Sequence, residues 1–354
     1  MIVRDIKLNN FRNHSERSFA FEAKVTAIVG NNGTGKTNLL DAVYYLCLTK
    51  SNLYADDKQN VKHGSDFFRL EGNFELKNEN TNVVCKYSGS RKKEFLFNEI
   101  PYTKLSEHIG KIPCVMICPA DAEIVLGGSE ERRKVIDNTL SQTDQQYLNN
   151  LVQYNKVLTQ RNAALKQFAE TGKTDKNLLT IYNEQLVAFG NYIFEKRAAA
   201  FKEILLYFKQ VYSQISDAEN EADFSYKSQL ENNNFAELLE KNLQRDLILE
   251  RTEIGIHKDD VDFFLHSFPL KRFGSQGQQK SFMLAFKLAM FLYLQAATKT
   301  TPILLVDDVF DKLDKKRGQN LLNFFNSDKT TQVILSHTKT EDFKEVNFVE
   351  ILSI

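Results

Sequence analysis

The residues best placed to do chemistry are Gly30-Asn31-Asn32-Gly33-Thr34-Gly35-Lys36-Thr37. Their spacing, G-x-x-x-x-G-K-T, lets main chain rather than side chains curl around an anion. Gly30, Gly33 and Gly35 remove Cβ where phosphate oxygens crowd the backbone, and they permit unusual φ values. The freed N–H groups and the N-terminus of the helix that follows form an anion site, with Asn38 in its first turn. Lys36 is placed to reach β- and γ-phosphates, and the Thr37 hydroxyl to ligate Mg²⁺. A plain glycine turn is the competing reading. The context decides against it: an apolar run (residues 25–29) precedes the loop, and a helix-like stretch (residues 38–46) follows it.

A second group lies far along the chain. Residues 303–308 read Ile-Leu-Leu-Val-Asp-Asp, a buried strand ending in two carboxylates. Acids there are costly unless they meet a cation or a polar cleft. Beside a phosphate loop the cation is Mg²⁺, which makes Asp307 a metal ligand and leaves Asp308 to orient or deprotonate an attacking water. A further apolar strand (332–335) ends at Ser336-His337, where His337 either senses a γ-phosphate or sits in solvent. The polar stretch 9–14 reads as a loop able to sit beside the phosphate loop, and its Arg12 either neutralises phosphate, stacks near a base, or is a solvated surface charge. The run Gly274-Ser275-Gln276-Gly277-Gln278 opens a long amphipathic helix, a second N-terminus suited to anions.

These groups need a large scaffold, and 354 residues supply two domains or one with a big insertion. Lys+Arg and Asp+Glu both total 46, so any nucleic-acid surface is a local patch rather than a polycationic coat. Residues 1–120 carry +4, 121–250 carry −5 and 251–354 carry +1, which points a duplex toward the first segment and away from the second. Lys58, Lys62, His63, Arg69, Arg91, Lys92 and Lys93 are the basic residues to watch there. The four cysteines (47, 85, 114, 118) have no disulfide or zinc spacing and read as buried thiols. No signal peptide and no bilayer-length apolar run is evident, so a reducing cytoplasm and no membrane are expected.

Strand-like pieces at 2–8, 19–21 and 25–30, then at 67–76, 83–88 and 95–100, predict an antiparallel lobe beside the nucleotide core. Residues 112–118 read as a short buried strand, and Ser129 as a helix N-cap. Tyr147, Leu151, Tyr154 and Leu158 form one helical stripe. Leu178, Tyr182, Gln185, Phe189, Phe194, Phe201, Leu205, Phe208 and Tyr212 form another, beyond a polar turn at 169–175. The two predict an antiparallel helical hairpin, a stubby arm with too few heptads for a rod. Residues 224–227 and 235–249 are expected to return the chain to the core. The division is 1–120 (head, N-terminal part), 121–250 (arm) and 251–354 (head, C-terminal part).

At these residues the chain resembles a known family. Gly274 to Gln278 is similar to the signature loop of ABC-type ATPases, and Asp307-Asp308 followed by Val309-Phe310-Asp311-Lys312-Leu313-Asp314 to their Walker B and D-loop. More narrowly, five stretches resemble the RecF family of bacterial recombination mediators: Leu8 to His14, Thr37 to Ala42, Gly128 to Arg133, Gly255 to Asp260 and Arg272 to Lys280. The resemblance implies an α/β, ABC-type ATPase head with an antiparallel β lobe and an inserted short antiparallel coiled-coil arm. It also implies a head-to-tail homodimer in which Ser275, Gln276, Gly277 and Gln278 of one copy close over ATP and Mg²⁺ held by the other. The dimer would hold double-stranded DNA near single-strand gaps, recruit RecR and through it RecO, and hydrolyse ATP slowly, in repair, replication and the SOS response. A transporter subunit would place the signature nearer the phosphate loop, an SMC-like structural ATPase would need longer coiled coils, and a metabolic kinase would have no use for a signature.

Overall fold

The computed structural model describes residues 1–89, 91–216, 222–310, 313–343 and 346–354; Asp311 and Lys312 of the D-loop stretch lie outside them. The chain forms two compact units: residues 1–122, 210–219 and 275–354, and residues 123–209 with 220–274. Residues 251–274 therefore fall in the same unit as the arm, although the sequence division puts them in the head.

The first unit is built on a parallel sheet in the order Val349–Ser353, Val25–Val29, Gln332–His337, Ile303–Asp307, Cys114–Ile117. Every residue of the four strands after the edge strand Val349–Ser353 is buried, as expected of a sheet covered on both faces. The register pairs His337 with Val29 and Asp307 with Ser336. The phosphate loop, the acids and His337 thus gather at the carboxyl ends of neighbouring strands, where open α/β sheets bind ligands. Helix Lys36–Leu48 packs on this sheet and on strands of a second, antiparallel one.

That second sheet runs His14–Ala20, Ile2–Phe11, Phe67–Leu76, Glu79–Ser88, Arg91–Phe97, Ile100–Pro101. Two of its hairpins turn on two residues each, Lys77-Asn78 and Asn98-Glu99, all four with positive φ. Such primed turns match strand twist. They also explain why the third long strand starts at Glu79 rather than at 83: Glu79 already pairs with Leu76. The polar stretch 9–14 is mostly strand, with only Arg12-Asn13 left as the turn between Phe11 and His14.

His108 is fully buried beneath this sheet; its Nε2–H donates to the Leu46 carbonyl at 2.8 Å, and the Tyr102 hydroxyl lies 3.1 Å from Nδ1. Burial pushes its pKa down to about 4. A histidine held neutral in the fold binds a proton on unfolding, so its stabilisation is complete above pH 6.5 and is lost as pH falls toward 4. His108→Gln should remove up to roughly 3 kcal/mol of that pH-dependent loss. Urea melts at pH 7 and 4.5 check this; an unchanged difference between the two pH values would refute it.

Gln145–Thr171 and Lys176–Ser216, the latter in the second unit as far as Lys209, run antiparallel, since Arg161 meets Asn183, Tyr154 faces Gly190 and Tyr147 meets Arg197. The hairpin is as expected, and its seam in part: Tyr147, Tyr154, Phe201, Phe208 and Tyr212 of the two stripes are buried, while Gln185 is exposed. Leu179, Leu186, Ile193 and Ile204 are buried with them. The apolar pattern gave no sign of the charged residue in the seam: Arg197 pairs with Asp137 (2.8 Å) and Asp259 (2.7 Å). Arg161 likewise pairs with Asp246 at 2.8 Å, both fully buried. Residues 235–249 do not return to the head. They form two short helices on the arm, with Leu243 and Leu247 packed against Leu165 and Leu179. Ser129 is the first helical residue rather than the cap, which is Gly128 in extended conformation.

Among the described residues one helix, Gln276–Thr298, is long and apolar enough to cross a bilayer, but 72% of its apolar window is buried inside the protein. It is a core helix of the first unit. All four cysteines are buried thiols outside any disulfide.

Candidate nucleotide-binding site

The loop between Val29 and Lys36 has the backbone its glycines permit: Gly33 has φ +85° and Gly35 φ +107°. Gly35 is also closely approached. A Cβ there would lie 2.5 Å from His14 Nε2 and 2.7 Å from the Asn13 amide. These two residues belong to the hairpin turn at 12–14, and they grip the loop: His14 Nε2–H donates to the Gly35 carbonyl (3.2 Å) and Asn13 Nδ2 to the Gly33 carbonyl (3.3 Å). Asn38 Nδ2 donates in turn to Asn13 Oδ1 at 2.8 Å. Helix Lys36–Leu48 starts on Gly35 with no side-chain cap, so no side chain competes for its first N–H groups. Lys36 is buried, and its Nζ donates to the carbonyls of Gly30 (2.7 Å) and Asn31 (2.9 Å). Asn31, Asn32 and Gly33 are exposed along the loop's crest, and the Thr34 hydroxyl donates to the Asn31 carbonyl at 3.0 Å.

Beside the loop, Thr37 Oγ1 donates to the Asp307 carboxylate, 2.9 Å from Oδ1 and 3.0 Å from Oδ2. Ser336 Oγ donates to Asp307 Oδ1 at 2.6 Å and accepts the backbone N–H of Asp308 at 3.0 Å. Burial pushes the Asp307 carboxyl above its ordinary pKa, while the Ser336 and Thr37 hydroxyls and the Lys36 charge pull it back. A hydroxyl and a carboxylate at this spacing are hard oxygen donors, which suits Mg²⁺. Among the described residues no three His, Cys, Asp or Glu side chains cluster as a metal cage. That fits an ion completed by waters and phosphate rather than by protein alone. Asp308 follows with φ +47°, the left-handed region, half-buried at the strand end.

Ser275 caps helix Gln276–Thr298 in a reciprocal box: its Oγ accepts the Gln278 N–H (3.3 Å) and Gln278 Oε1 accepts the Ser275 N–H (2.8 Å). Ser275 and Gln276 are exposed. Among the described residues, no hydrogen bond joins Ser275, Gln276, Gly277 or Gln278 to the loop 30–38 of the same chain. His337 is 1% exposed, with its ring centroid 5.3 Å from that of Phe343, so it is not a solvent-facing strand end. Arg12 is not simply solvated either. Its guanidinium lies 3.5 Å over the Tyr54 ring, Nη1 donates to the Gln59 carbonyl, and Nε and Nη2 are buried without a hydrogen-bond partner.

The family model for the RecF/RecN/SMC N-terminal domain matches residues 2–353. The DNA replication and repair protein RecF of Flavobacterium johnsoniae is 43% identical over 341 residues, 96% of this chain and 95% of that one. That of Phocaeicola vulgatus is 38% identical, over 98% of this chain and 93% of its own. The chain belongs to the RecF family. A solved structure described as the recombination mediator protein RecF-ATPrS in the RecFOR pathway superposes with a TM-score of 0.90 at 27% identity, covering 100% of this chain and 96% of that one. An Smc head bound to the C-winged helix domain of ScpA gives 0.56 at 13%, over 96% of this chain and 90% of its own, a likeness of fold alone.

In this member of the RecF family, two of the stretches that carry the resemblance hold the arm together. Gly255 has φ +135° against the Tyr154 hydroxyl, Asp259 holds Arg197, and Asp260 holds Arg132 in a bidentate pair at 2.6 and 3.2 Å. The basic residues of the head divide. Lys93 is spent internally on Asp57 (2.7 Å), Tyr45 and Thr49, and Arg69 pairs with Glu71 at 2.6 Å on the sheet. Lys58 and His63 remain exposed, Lys62 bonds Ser15, and the side chains of Arg91 and Lys92 lie outside what the structure describes.

Sequence reasoning set the stretch 9–14 beside the phosphate loop, which Asn13 and His14 bear out, without giving either residue a role, and it gave Ser336 none. Only the position of Ser336, one residue before the strand's terminal histidine and level with the acids, could have flagged it. Ser336→Ala should retain nucleotide binding and lower Mg²⁺-dependent turnover roughly tenfold, because Asp307 loses the partner that orients it. Unchanged turnover at limiting Mg²⁺ would leave Ser336 a purely structural residue.

Proposed function

We propose that this chain is an ATP-dependent recombination mediator of the RecF type, a slow ATPase acting as a switch. The observation that carries the reading is the site's incompleteness: one chain supplies the phosphate loop and the Thr37–Asp307 pair, whereas Ser275 and Gln276 of its signature turn are exposed and, among the described residues, that turn makes no hydrogen bond to the loop. The solved RecF proteins described with ATP and ATPrS support the choice of nucleotide.

In this reading the loop 30–37 and the N-terminus of the following helix take the triphosphate, with Lys36 turning from the Gly30 and Asn31 carbonyls to the β- and γ-phosphates. Thr37 and Asp307 hold Mg²⁺, which when bound draws negative charge off the phosphate oxygens. Asp308 orients the attacking water and accepts its proton. Arg12, fixed by Tyr54, lies at the nucleotide, and His337 stands behind Asp308 on the neighbouring strand. Ser275, Gln276, Gly277 and Gln278 of a second copy close over the γ-phosphate. A diphosphate lacks that contact, so ATP favours the dimer and hydrolysis releases it. The dimer holds double-stranded DNA near single-strand gaps, and RecR with RecO are its partners in the cytoplasm, serving repair, replication and the SOS response.

Light scattering with Mg²⁺ and ATP should give twice the mass seen with ADP. Equal mass in both would overturn the reading. Duplex binding at two salt concentrations should weaken steeply as salt rises, the mark of phosphate contacts.

A further inference from the structure

Gly277 lies in the first turn of helix Gln276–Thr298, and its φ is not in the left-handed region, so its backbone does not require glycine. What a side chain there would displace is a neighbour: a Cβ would lie 2.9 Å from Arg317 Nη1, the far end of a flexible side chain. Arg317 belongs to helix Lys315–Asn326, which begins directly behind the D-loop stretch. Its backbone N–H bonds the N-cap Asp314 Oδ1 at 2.9 Å, and its Nε lies 3.4 Å from Asp314 Oδ2. The guanidinium therefore joins the segment leaving the Asp307 strand to the signature turn of the same chain. The arrangement is electrostatically one-sided. A cation set against a helix N-terminus is disfavoured, since both are positive, and the 23-residue helix Gln276–Thr298 carries that partial charge in full. Asp314 offsets part of it. An incoming polyanion would offset the rest.

We infer that Arg317 is a positioning residue of the composite site: packed on Gly277, it sets the pose of the signature turn of its own chain for the triphosphate that a second copy presents. This rests on the dimer reading above and deepens it. Arg317 acts with Ser275, in trans to the phosphate loop it serves. A planar guanidinium can bond Asp314 through Nε and still turn other N–H groups toward the turn or the phosphate.

The test uses full-length chains. Arg317→Ala should bind ATP as the wild-type monomer does, since its own phosphate loop is untouched, and that binding also reports an intact fold. It should dimerise with ATP about tenfold more weakly, and Gly277→Ala, which pushes the guanidinium off the turn, should do likewise. Mixing Arg317→Ala with Lys36→Ala restores one complete site, a working loop from the first chain and a working signature with Arg317 from the second, so turnover should return. Mixing Ser275→Arg with Lys36→Ala is the control. If that control recovers while Arg317→Ala either dimerises normally or fails to recover in its mixture, the inference is overturned and the dimer reading stands. If the control itself does not recover, the dimer reading falls and the inference with it.

Discussion

Lys36→Ala should bind ATP at least a hundredfold more weakly than the wild-type chain. The lysine is 7% exposed, and its Nζ already lies within the loop, held by the Gly30 and Asn31 carbonyls at 2.7 and 2.9 Å. Those two acceptors are neutral. A triphosphate offers charged ones, and each charge-assisted bond contributes about 1.5–3 kcal/mol, so two of them exceed a hundredfold in affinity. The alanine variant should fold normally, because the carbonyls it releases lie beside the loop's exposed crest, within reach of water. Calorimetry with ATP and Mg²⁺ is the direct measurement, and near-normal affinity would remove the phosphate-binding assignment altogether.

Ser275→Arg should bind ATP with wild-type affinity and fail to dimerise. Ser275 is exposed, and its hydroxyl bonds only within its own turn, so the substitution leaves the phosphate loop untouched. Losing the cap destabilises the helix by about 1 kcal/mol, little for one whose middle, from Ser281 to Leu292, is buried throughout. The large side chain would project where a second copy's nucleotide must approach. ATP-dependent dimers persisting in light scattering would deny the signature turn any part in association, whatever the fate of the Lys36 variant.

The sequence made the head legible where chemistry and periodicity coincide. G-x-x-x-x-G-K-T between an apolar strand and a helix, and Val306-Asp307-Asp308 closing another apolar run, each tie a residue type to one place in a parallel sheet. Register did the rest. Thr37 opens the helix that follows strand Val25–Val29, and it meets Asp307 because only Gln332–His337 separates that strand from Ile303–Asp307, which also brings Ser336 to the Asp307 carboxylate. That third contact was invisible, since a serine near a strand end carries no signal by itself. The stretch 9–14 was read as a loop beside the phosphate loop, which is where it lies, but the strand pairing around Arg12-Asn13 and the contacts of Asn13 and His14 were not legible, because the turn has two residues and no glycine. The arm was legible as two helices and, in part, in its seam, where Tyr147, Tyr154, Phe201, Phe208 and Tyr212 are buried as their spacing suggested. The seam also carries Arg161 and Arg197, whose partners Asp246 and Asp259 come from much later in the chain. Hydrophobic periodicity cannot anticipate a buried guanidinium.

Those two arginines also limit how this protein could change over evolutionary time. Each spends its charge on an acid from residues 246–259, so any deletion that slid one helix against the other would strand a full charge away from water, at about 3–5 kcal/mol each. The polar turn beyond Phe168 has no such tether: residues 171–177 are all exposed, and Gly172 closes the first helix in a left-handed cap. Lineages are thus free to extend the hairpin outward from its tip, while its base stays locked at one length.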